Sequence, residues 1–435
     1  MYKVGLYTLG CKVSLYETEA IGEAFEREGF RVCPFDQVCD VYVINTCTVT
    51  AESDAKSRKY IRRAIRKNPD AVVIVIGCYS QRSPEEVAKI EGVSAVIGTA
   101  DKMKAVEIAK QLLISHSAIQ NLNFVSSLDG AGFEPMCVNK APRTRAYVKI
   151  EDGCECRCTY CAISAARGPV RSKRPDRVIS EVEGLYKRGT LEIVLTGIET
   201  GSYGADFDEK YDLADLLSEL NARHSCERIR LGSMAPELLS AKFIEKIADL
   251  KIMVPHFHIS MQSGSDNVLR GMKRRYNRRV ALRNIALIRE KMPDVMLTAD
   301  LMVGFPGESE EDFLDTMRFV SEAGLLDAHV FAYSKREGTP AASYPNQIDE
   351  QIKKERSARL IAECHRVRDE VLQSLINLGK PLSVIMETGK GNIYHGHSDS
   401  YIEVCAESKK DIRGELVSVK PISHNNGIIY GEIIT

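Results

Sequence analysis

At 435 residues the chain is long enough for two or three domains, each with a core of its own. Its 44% hydrophobic and 27% charged residues are those of an ordinary globular protein, and no apolar run approaches the length of a bilayer span. A net charge of −1 confines any nucleic-acid binding to local basic patches, and thirteen cysteines in so long a chain favour metal or iron–sulfur ligation over a disulfide scaffold.

The N-terminus, "MYKVGLYTLG", opens directly as a strand without an apolar leader, so a cytoplasmic protein with no membrane association is expected. Up to about residue 115, strand and helix patterns alternate. "KVGLYTLG", "DVYVINTC" and "AVVIVIGC" are continuous apolar runs, as parallel strands buried on both faces require. Amphipathic segments such as "YETEAIGEAFEREGF" follow them, which predicts a small doubly wound α/β sheet. Each of these strands runs into a cysteine: Cys11, Cys47 and Cys78. Ligands of open parallel sheets gather outside the carboxyl ends of the strands. One such thiol alone reads as a core residue, but three at equivalent positions predict a shared cluster. Cys33 and Cys39 are not at strand ends and read as core. The stretch "AKSRKYIRRAIRKNP" sets Lys56, Arg58, Lys59, Arg62, Arg63, Arg66 and Lys67 on one helix, a candidate polyanion-binding face.

Residues 116–143, with "SSLDGAGFEP", lack a period and read as a linker. From Arg145 six apolar strands each precede a helical pattern: "AYVKIE", "LEIVLTG", "RIRLGSM", "HFHISMQ", "MLTADLMV" and "AHVFAYS". Six βα units predict an open, partial barrel, since closure needs about eight. "RGMKRRYNRRVALR" adds a second basic stretch, including Arg274 and Arg278. Ser309 and Asp312 form a capping-box signature for a helix ending at Gly324, and a long charged helix spans about Asp349 to Leu378. The tail from about Gly379 breaks into short β-rich runs, which predicts a small all-β, barrel-like appendage.

The loop after the first barrel strand, "EDGCECRCTYCAISAARGP", holds Cys154, Cys156, Cys158 and Cys161. It lies at the carboxyl face, where such barrels do their chemistry. Alternate residues of so short a loop point apart, and a structural zinc site would want two separated pairs. The C-x3-C-x2-C spacing of Cys154, Cys158 and Cys161 instead wraps three corners of a 4Fe–4S cube, leaving one iron open to an outside ligand. Cys156 is left unligated. Thr196, Gly197, Ser233, Gln262 and Ser263 end later strands on the same face and are candidate ligand contacts, with tight-turn roles as the alternative for the first two. Asp300 and Glu308 read either as contacts or as turn and cap groups. His256 and His258 form an H-x-H pair with no third zinc ligand evident, which favours a structural role.

"GCECRCTYCAI", with Tyr160 before its last cysteine, resembles the radical S-adenosylmethionine (SAM) loop. "LGCKVSLYETE", "INTCTVT" and "IGCYSQ" resemble the second-cluster domain of the radical SAM methylthiotransferases, and "HISMQSGSDNVLRGMKRRY", "DLMVGFPGESEEDF" and "AYSKREGTPAA" match that family's later motifs. Glu387, Gly396, Tyr401 and Gly414 sit in a tail similar to its RNA-binding TRAM domain. "TLGCKV" and "HVFAYSKREGTPAA" are most similar to the branch acting on threonylcarbamoyladenosine beside the tRNA anticodon. The resemblance implies a second-cluster domain over 1–115, a radical SAM core over 144–372 and a TRAM domain over 373–435. It also implies two 4Fe–4S clusters, on Cys154, Cys158, Cys161 and on Cys11, Cys47, Cys78. SAM would be bound with help from Tyr160, Thr196, Gly197, Ser233, Gln262 and Ser263. The substrate would be a tRNA anticodon stem-loop, electrons would come from an external donor, and the enzyme would be a monomer. In the family a radical cleaved from SAM takes hydrogen from C2 of the adenine, and the second cluster carries the sulfur. Ser14, Glu199 and Ala235 depart from the pattern, where Asn, a neutral residue or His, and Glu are usual. The alternatives are methylthiolation of isopentenyl-type adenosine or of a ribosomal-protein aspartate, a non-catalytic iron–sulfur RNA-binding protein, and a zinc protein.

Overall fold

The computed structural model describes residues 1–115, 122–141 and 144–434; positions 116–121 and 142–143 of the expected linker lie outside the described residues. Strands β1 (Lys3–Thr8), β2 (Arg31–Cys33), β3 (Val41–Thr46), β4 (Val72–Gly77), β5 (Ala95–Ile97) and β6 (Leu122–Phe124) form one parallel sheet in the order β2-β1-β3-β4-β5-β6. Every residue of β3 and β4 is buried, as their unbroken apolar runs require. One face packs Ile74 against Phe25 and Ala109, the other packs Tyr42 and Val75 against Ile61.

The stretch read as a linker does more than connect. Its three-residue strand β6, too short for a periodic signal, adds the sheet's sixth strand. Farther on, Met136 and Val138 pack on Tyr16 and Ala20, and the Tyr16 hydroxyl donates to the Met136 carbonyl at 2.8 Å.

Next come β7 (Arg145–Lys149), the small hairpin of β8 (Glu151–Asp152) and β9 (Arg171–Ser172), then β10 (Glu192–Thr196), β11 (Arg228–Leu231), β12 (His256–Gln262), β13 (Met296–Val303) and β14 (Asp327–Ala332). The expected six strands are present and parallel, in two halves, β11-β10-β7 and β12-β13-β14. Among the described residues, isolated parallel bridges run from Ile229 to Met253, just before β12, and from Met234 to Ile259. The helices cover the outer face over one continuous core that includes Leu217, Ile229, Phe257 and Leu297. Ser309 and Asp312 complete both halves of the capping box for the helix Glu310–Ala323, which ends on left-handed Gly324.

The helix Glu350–Leu378 is capped by the Asp349 side chain and ends on left-handed Gly379. It runs through position 373, and its Leu372 and Leu375 enter the core of the C-terminal appendage. That appendage is a closed five-stranded barrel of β15 (Leu382–Lys390), β16 (Ile393–Ser398), β17 (Glu403–Glu407), β18 (Leu416–Asn425) and β19 (Ile428–Ile434). Among the described residues no helix is long and apolar enough to cross a membrane.

Candidate active site

The sheet order sets β1, β3 and β4 side by side, so the residues after their carboxyl ends are neighbours. Cys11 is the N-cap of the helix Lys12–Arg27, Cys47 follows β3, and Cys78 starts the short helix Cys78–Arg82. Gly77 makes the last turn at φ 101°, where a Cβ would lie 2.7 Å from the Thr46 carbonyl oxygen, so only glycine delivers Cys78 to this edge. Cys47 and Cys78 are buried and Cys11 is exposed. Burial pushes the Cys78 thiol up to about 11, and the Arg167 guanidinium, whose Nε donates to Cys78 Sγ at 3.1 Å, acts the other way. Ser14, in place of the usual Asn, has its hydroxyl 3.8 Å from Cys11 Sγ.

The second cysteine loop begins on Gly153, at φ 92°, where a Cβ would fall 1.8 Å from the Pro169 carbonyl oxygen. Thr159 fastens the loop by donating from its backbone to Met272 at 3.1 Å and accepting from Ala341 at 2.9 Å. Cys158 Sγ accepts from Arg274 Nη1 at 3.2 Å, and Arg274 also donates to the Ser260 carbonyl and the Tyr276 hydroxyl. The second basic stretch is therefore thinner than its sequence suggests: Arg274 turns inward to sulfur, and Arg278 pairs with Asp315 and Glu322. Cys156 lies against Cys154, whose hydrogen bond holds the Cys156 thiol down at about 6, helped by Arg275 and Arg274.

Tyr160 packs beside Val268, Met272, Met302, Phe305 and Tyr333. Thr196 is buried at the end of β10, and Gly197 is required by a close neighbour within the protein: a Cβ there would sit 2.4 Å from Glu151 Oε2. Ser233 is half-buried at the loop after β11, and its side chain has no hydrogen bond among the described residues. Gln262 closes β12 in a left-handed conformation, φ 67°, next to a break in strand register, which is costly for a non-glycine residue. Ser263 differs from the expectation of a cofactor contact. Fully buried, it bonds the Thr316 hydroxyl at 3.1 Å and accepts from Ser265 N at 3.1 Å, so it braces the loop that carries Gln262. Glu308 likewise serves structure, accepting from Gly304 N and Arg356. His256 and His258 share the Thr298 hydroxyl, at 3.0 and 2.8 Å.

Two of the departures from the family pattern touch each other. The Ala235 amide donates to Glu199 Oε1 at 3.1 Å, so a carboxyl supplied from position 199 occupies the neighbourhood of 235. Burial pushes the Glu199 carboxyl up to about 8, and that of neighbouring Glu151 well above the ordinary range.

The two cysteine edges meet. Arg167, on the helix that follows the Cys161 loop, reaches Cys78 in one direction and Glu17 and Asp152 in the others. Lys149 and Lys102 complete this buried charge cluster around Glu17. Thr99 donates to the Ala166 carbonyl at 2.6 Å, and Arg336, from the "KREGTPAA" run, donates to Thr48 at 2.7 Å and Asp54 at 2.6 Å. Sequence reasoning missed Arg167, Arg274 and Arg336. For Arg167 and Arg336 the signal was position alone, inside the motifs and outside any charge run, whereas Arg274 stood within the second basic stretch, which hid its turn toward sulfur.

A family model described as Radical SAM superfamily matches residues 148–320, and one described as Uncharacterized protein family UPF0004 matches residues 3–98. The chain is 42% identical, over 97% of its length and 94% of the relative's, to the threonylcarbamoyladenosine tRNA methylthiotransferase MtaB of Bacillus subtilis. The chain belongs to the radical SAM tRNA methylthiotransferases. An Aquifex aeolicus protein of the same name is 34% identical over 96% of this chain and 99% of that one. The tRNA-2-methylthio-N(6)-dimethylallyladenosine synthase of Alkaliphilus oremlandii is 32% identical over 99% and 93%. Among solved structures, the radical SAM methyltransferase TsrM of Kitasatospora setae shares the fold at a TM-score of 0.58 and 16% identity, covering 90% of this chain and 79% of that one. As a tRNA methylthiotransferase the enzyme uses 4Fe–4S iron–sulfur and SAM as cofactors. The chemistry of the cysteines suits such a cluster, although among the described residues no group of three His, Cys, Asp or Glu side chains is gathered as a metal site. All thirteen cysteines are free, and guanidinium donors on Cys78 and Cys158 favour the thiolate form that iron binds.

Proposed function

We propose that this methylthiotransferase acts on N6-threonylcarbamoyladenosine at position 37 of tRNA, beside the anticodon, exchanging the hydrogen on C2 for a methylthio group. Two 4Fe–4S clusters serve it, one on Cys154, Cys158 and Cys161, the other on Cys11, Cys47 and Cys78. The observation that carries the reading is the junction at Arg167, which joins the loop bearing Cys161 to the thiol of Cys78 in the opposite edge. Three thiolates leave one corner of a cube for an outside ligand, and two such corners on facing edges suit a reaction that joins sulfur to carbon. The substrate assignment is supported by relatives named for threonylcarbamoyladenosine at 42% and 34% identity, against 32% for one named for dimethylallyladenosine.

The C2 hydrogen is not acidic, so side-chain acid–base groups alone are a poor tool for removing it. When bound, the SAM cluster supplies the one-electron chemistry for that step. The chain's own residues bind, orient and exclude water. Arg274 and Arg167 donate to the sulfurs of Cys158 and Cys78 and oppose the effect of burial on them; Tyr160, Thr196, Gly197, Ser233 and Gln262 position SAM, with Ser263 acting through the loop it braces. The anticodon stem-loop lies on the exposed arginines and the small barrel, where unpaired bases are the readable part of RNA. Residues 1–115 form the second-cluster domain, 144–372 the radical SAM core and 373–435 the TRAM domain of a cytoplasmic monomer that draws electrons from an external donor.

Mass analysis of tRNA nucleosides from a strain lacking the enzyme tests the substrate. Loss of the methylthio group from threonylcarbamoyladenosine is expected, whereas loss from an isopentenyl-type nucleoside or from a ribosomal protein sinks the reading. Iron and sulfide in anaerobically purified protein should fall by half in Cys11→Ala and, separately, in Cys154→Ala.

A further inference from the structure

A cavity of about 490 Å³ opens between the partial barrel and the small barrel, walled by three separate parts of the chain. Lys12, the residue after Cys11, closes one side; Arg230, His256, His258 and Thr298 of β11, β12 and β13 form the back; Tyr401 of the small barrel forms the floor. Such a volume suits a small-molecule-sized group.

The charges around this space are unevenly satisfied. Arg230 is 1% exposed and gives Nε and Nη2 to Glu192 at 2.8 and 3.1 Å, yet its buried Nη1 has no hydrogen-bond partner. His256 pairs Nε2 with the Thr298 hydroxyl and leaves a buried Nδ1 without a partner. Lys12 makes no salt bridge among the described residues. Asp300, the carboxylate next to His258, is already shared between His258 and His329 at 3.2 Å each. Of the acidic lining groups, Asp327 faces Arg368 at 3.8 Å and Glu403 faces His395 at 3.4 Å. Buried donors on a cation call for an acceptor, and here the protein offers none.

The floor is built rather than incidental. Tyr401 holds a left-handed backbone, φ 68°, which costs about 1–2 kcal/mol for a residue with a side chain. Its ring stacks on His256 with centroids 4.8 Å apart and carries the guanidinium carbons of Arg230 and Arg145 at 4.9 and 5.5 Å. Strain of this kind persists where packing over-determines it, commonly at ligand sites.

We infer that this cavity receives the carboxylate-bearing end of the substituent on N6 of the target adenosine. Lys12 and the third nitrogen of Arg230 hold the carboxylate, and His256 Nδ1 meets a hydroxyl or carbonyl of the same arm. The inference rests on the threonylcarbamoyladenosine reading above and adds to it the residues that choose the arm. An apolar arm would strand the same donors, so the cavity selects against it. Lys12 is thus a specificity-determining residue placed directly behind Cys11.

The test uses reconstituted holoenzyme with SAM and three anticodon stem-loop RNAs carrying threonylcarbamoyladenosine, plain adenosine or dimethylallyladenosine at position 37. Wild type should bind the first at least roughly tenfold more tightly than the others, the scale of one charge-assisted hydrogen bond. In Lys12→Met that margin should vanish while iron content and melting temperature stay level, and Lys12→Arg, which keeps the charge, should restore most of it. Equal binding of the three RNAs by a wild type that methylthiolates the threonylcarbamoyl RNA overturns the inference alone. Equal weakening of all three in Lys12→Met does the same. Methylthiolation of the dimethylallyl RNA in place of the threonylcarbamoyl RNA overturns the substrate reading, and the inference with it.

Discussion

Arg167 donates from Nε to Cys78 Sγ at 3.1 Å and from Nη1 to Glu17 Oε1 at 2.6 Å, with its side chain wholly buried. One planar fork therefore serves a sulfur and a carboxylate together, which a lysine's point charge does not reproduce. Removing it leaves Glu17 buried with Lys102 and Lys149 as remaining partners at 3.1 and 2.8 Å. Arg167→Met should therefore cost near the low end for breaking a buried pair, about 3 kcal/mol in urea unfolding of the apoprotein. Arg167→Lys should cost less. In the holoenzyme the lost donor to sulfur should shift the reduction midpoint of the cluster proposed on Cys78 to more negative values, since hydrogen bonds to cluster sulfur favour the reduced state. A midpoint unmoved in Arg167→Met would leave the guanidinium with a purely structural role.

Cys156 is the odd thiol of its loop. It stands two residues from Cys154 and from Cys158, and Arg157 between the latter pair turns at φ 48°. Held down at about 6, Cys156 should be the first thiol of the apoprotein to react with iodoacetamide near neutral pH, ahead of Cys78 and Cys161, which burial pushes up to about 11. Peptide mass mapping reads the order. Cys156→Ser should keep the wild-type iron content, and Cys158→Ser should not; the reverse result would make Cys156 the ligand.

The cysteine edges were legible because continuous apolar runs announce buried parallel strands and each run stopped at a thiol, so topology alone set Cys11, Cys47 and Cys78 after the ends of adjacent strands. The six barrel strands were legible for the same reason. Strand β16, "IYHGHS", was not: its polar alternate residues carry no apolar run, although Tyr394 is buried in the small barrel's core. Nor were the roles of arginine. A guanidinium that holds an exposed carbonyl, as Arg275 does with Glu155, and one that faces sulfur, as in Arg274, are the same letter side by side, and only the tertiary turn around Tyr276 separates them. The strap through Met136 and Val138 escaped notice because its contacts, to Tyr16 and Glu181, are with residues far off in sequence.

Glu199 carries a pH signature. Burial raises its carboxyl from the ordinary 4.5 to about 8, so the folded state holds a proton that the unfolded chain releases. Its contribution is thus intact in acid, declines as pH rises from 4.5, and is fully lost above 8. Glu199→Gln mimics the protonated acid, keeps an oxygen for the Ala235 amide and removes that decline. Relative to wild type, the variant apoprotein should gain stability with rising pH, by on the order of 3–5 kcal/mol between about pH 5 and pH 9. Urea unfolding across the range measures it. A constant difference between the two proteins would place the Glu199 carboxyl in the ordinary range.

The helix Ala51–Lys67 starts four residues after Cys47 and buries only Ser57, Ile61 and Ala64, leaving Lys59, Arg62, Arg66 and Lys67 exposed. In a chain of net charge −1 this local face is where phosphates can be neutralised. Each phosphate contact contributes about 0.7–0.9 to the slope of log affinity against log salt. The double variant Arg62→Gln, Arg66→Gln should therefore flatten the slope for tRNA binding by roughly 1.5 while leaving iron content unchanged. Arg274→Gln should do the opposite, altering the cluster proposed on Cys158 with little change in slope, because its guanidinium is committed to sulfur and the Ser260 carbonyl. Binding titrations over a range of potassium chloride distinguish the two, and a wild-type slope near zero would remove this helix from the RNA interface.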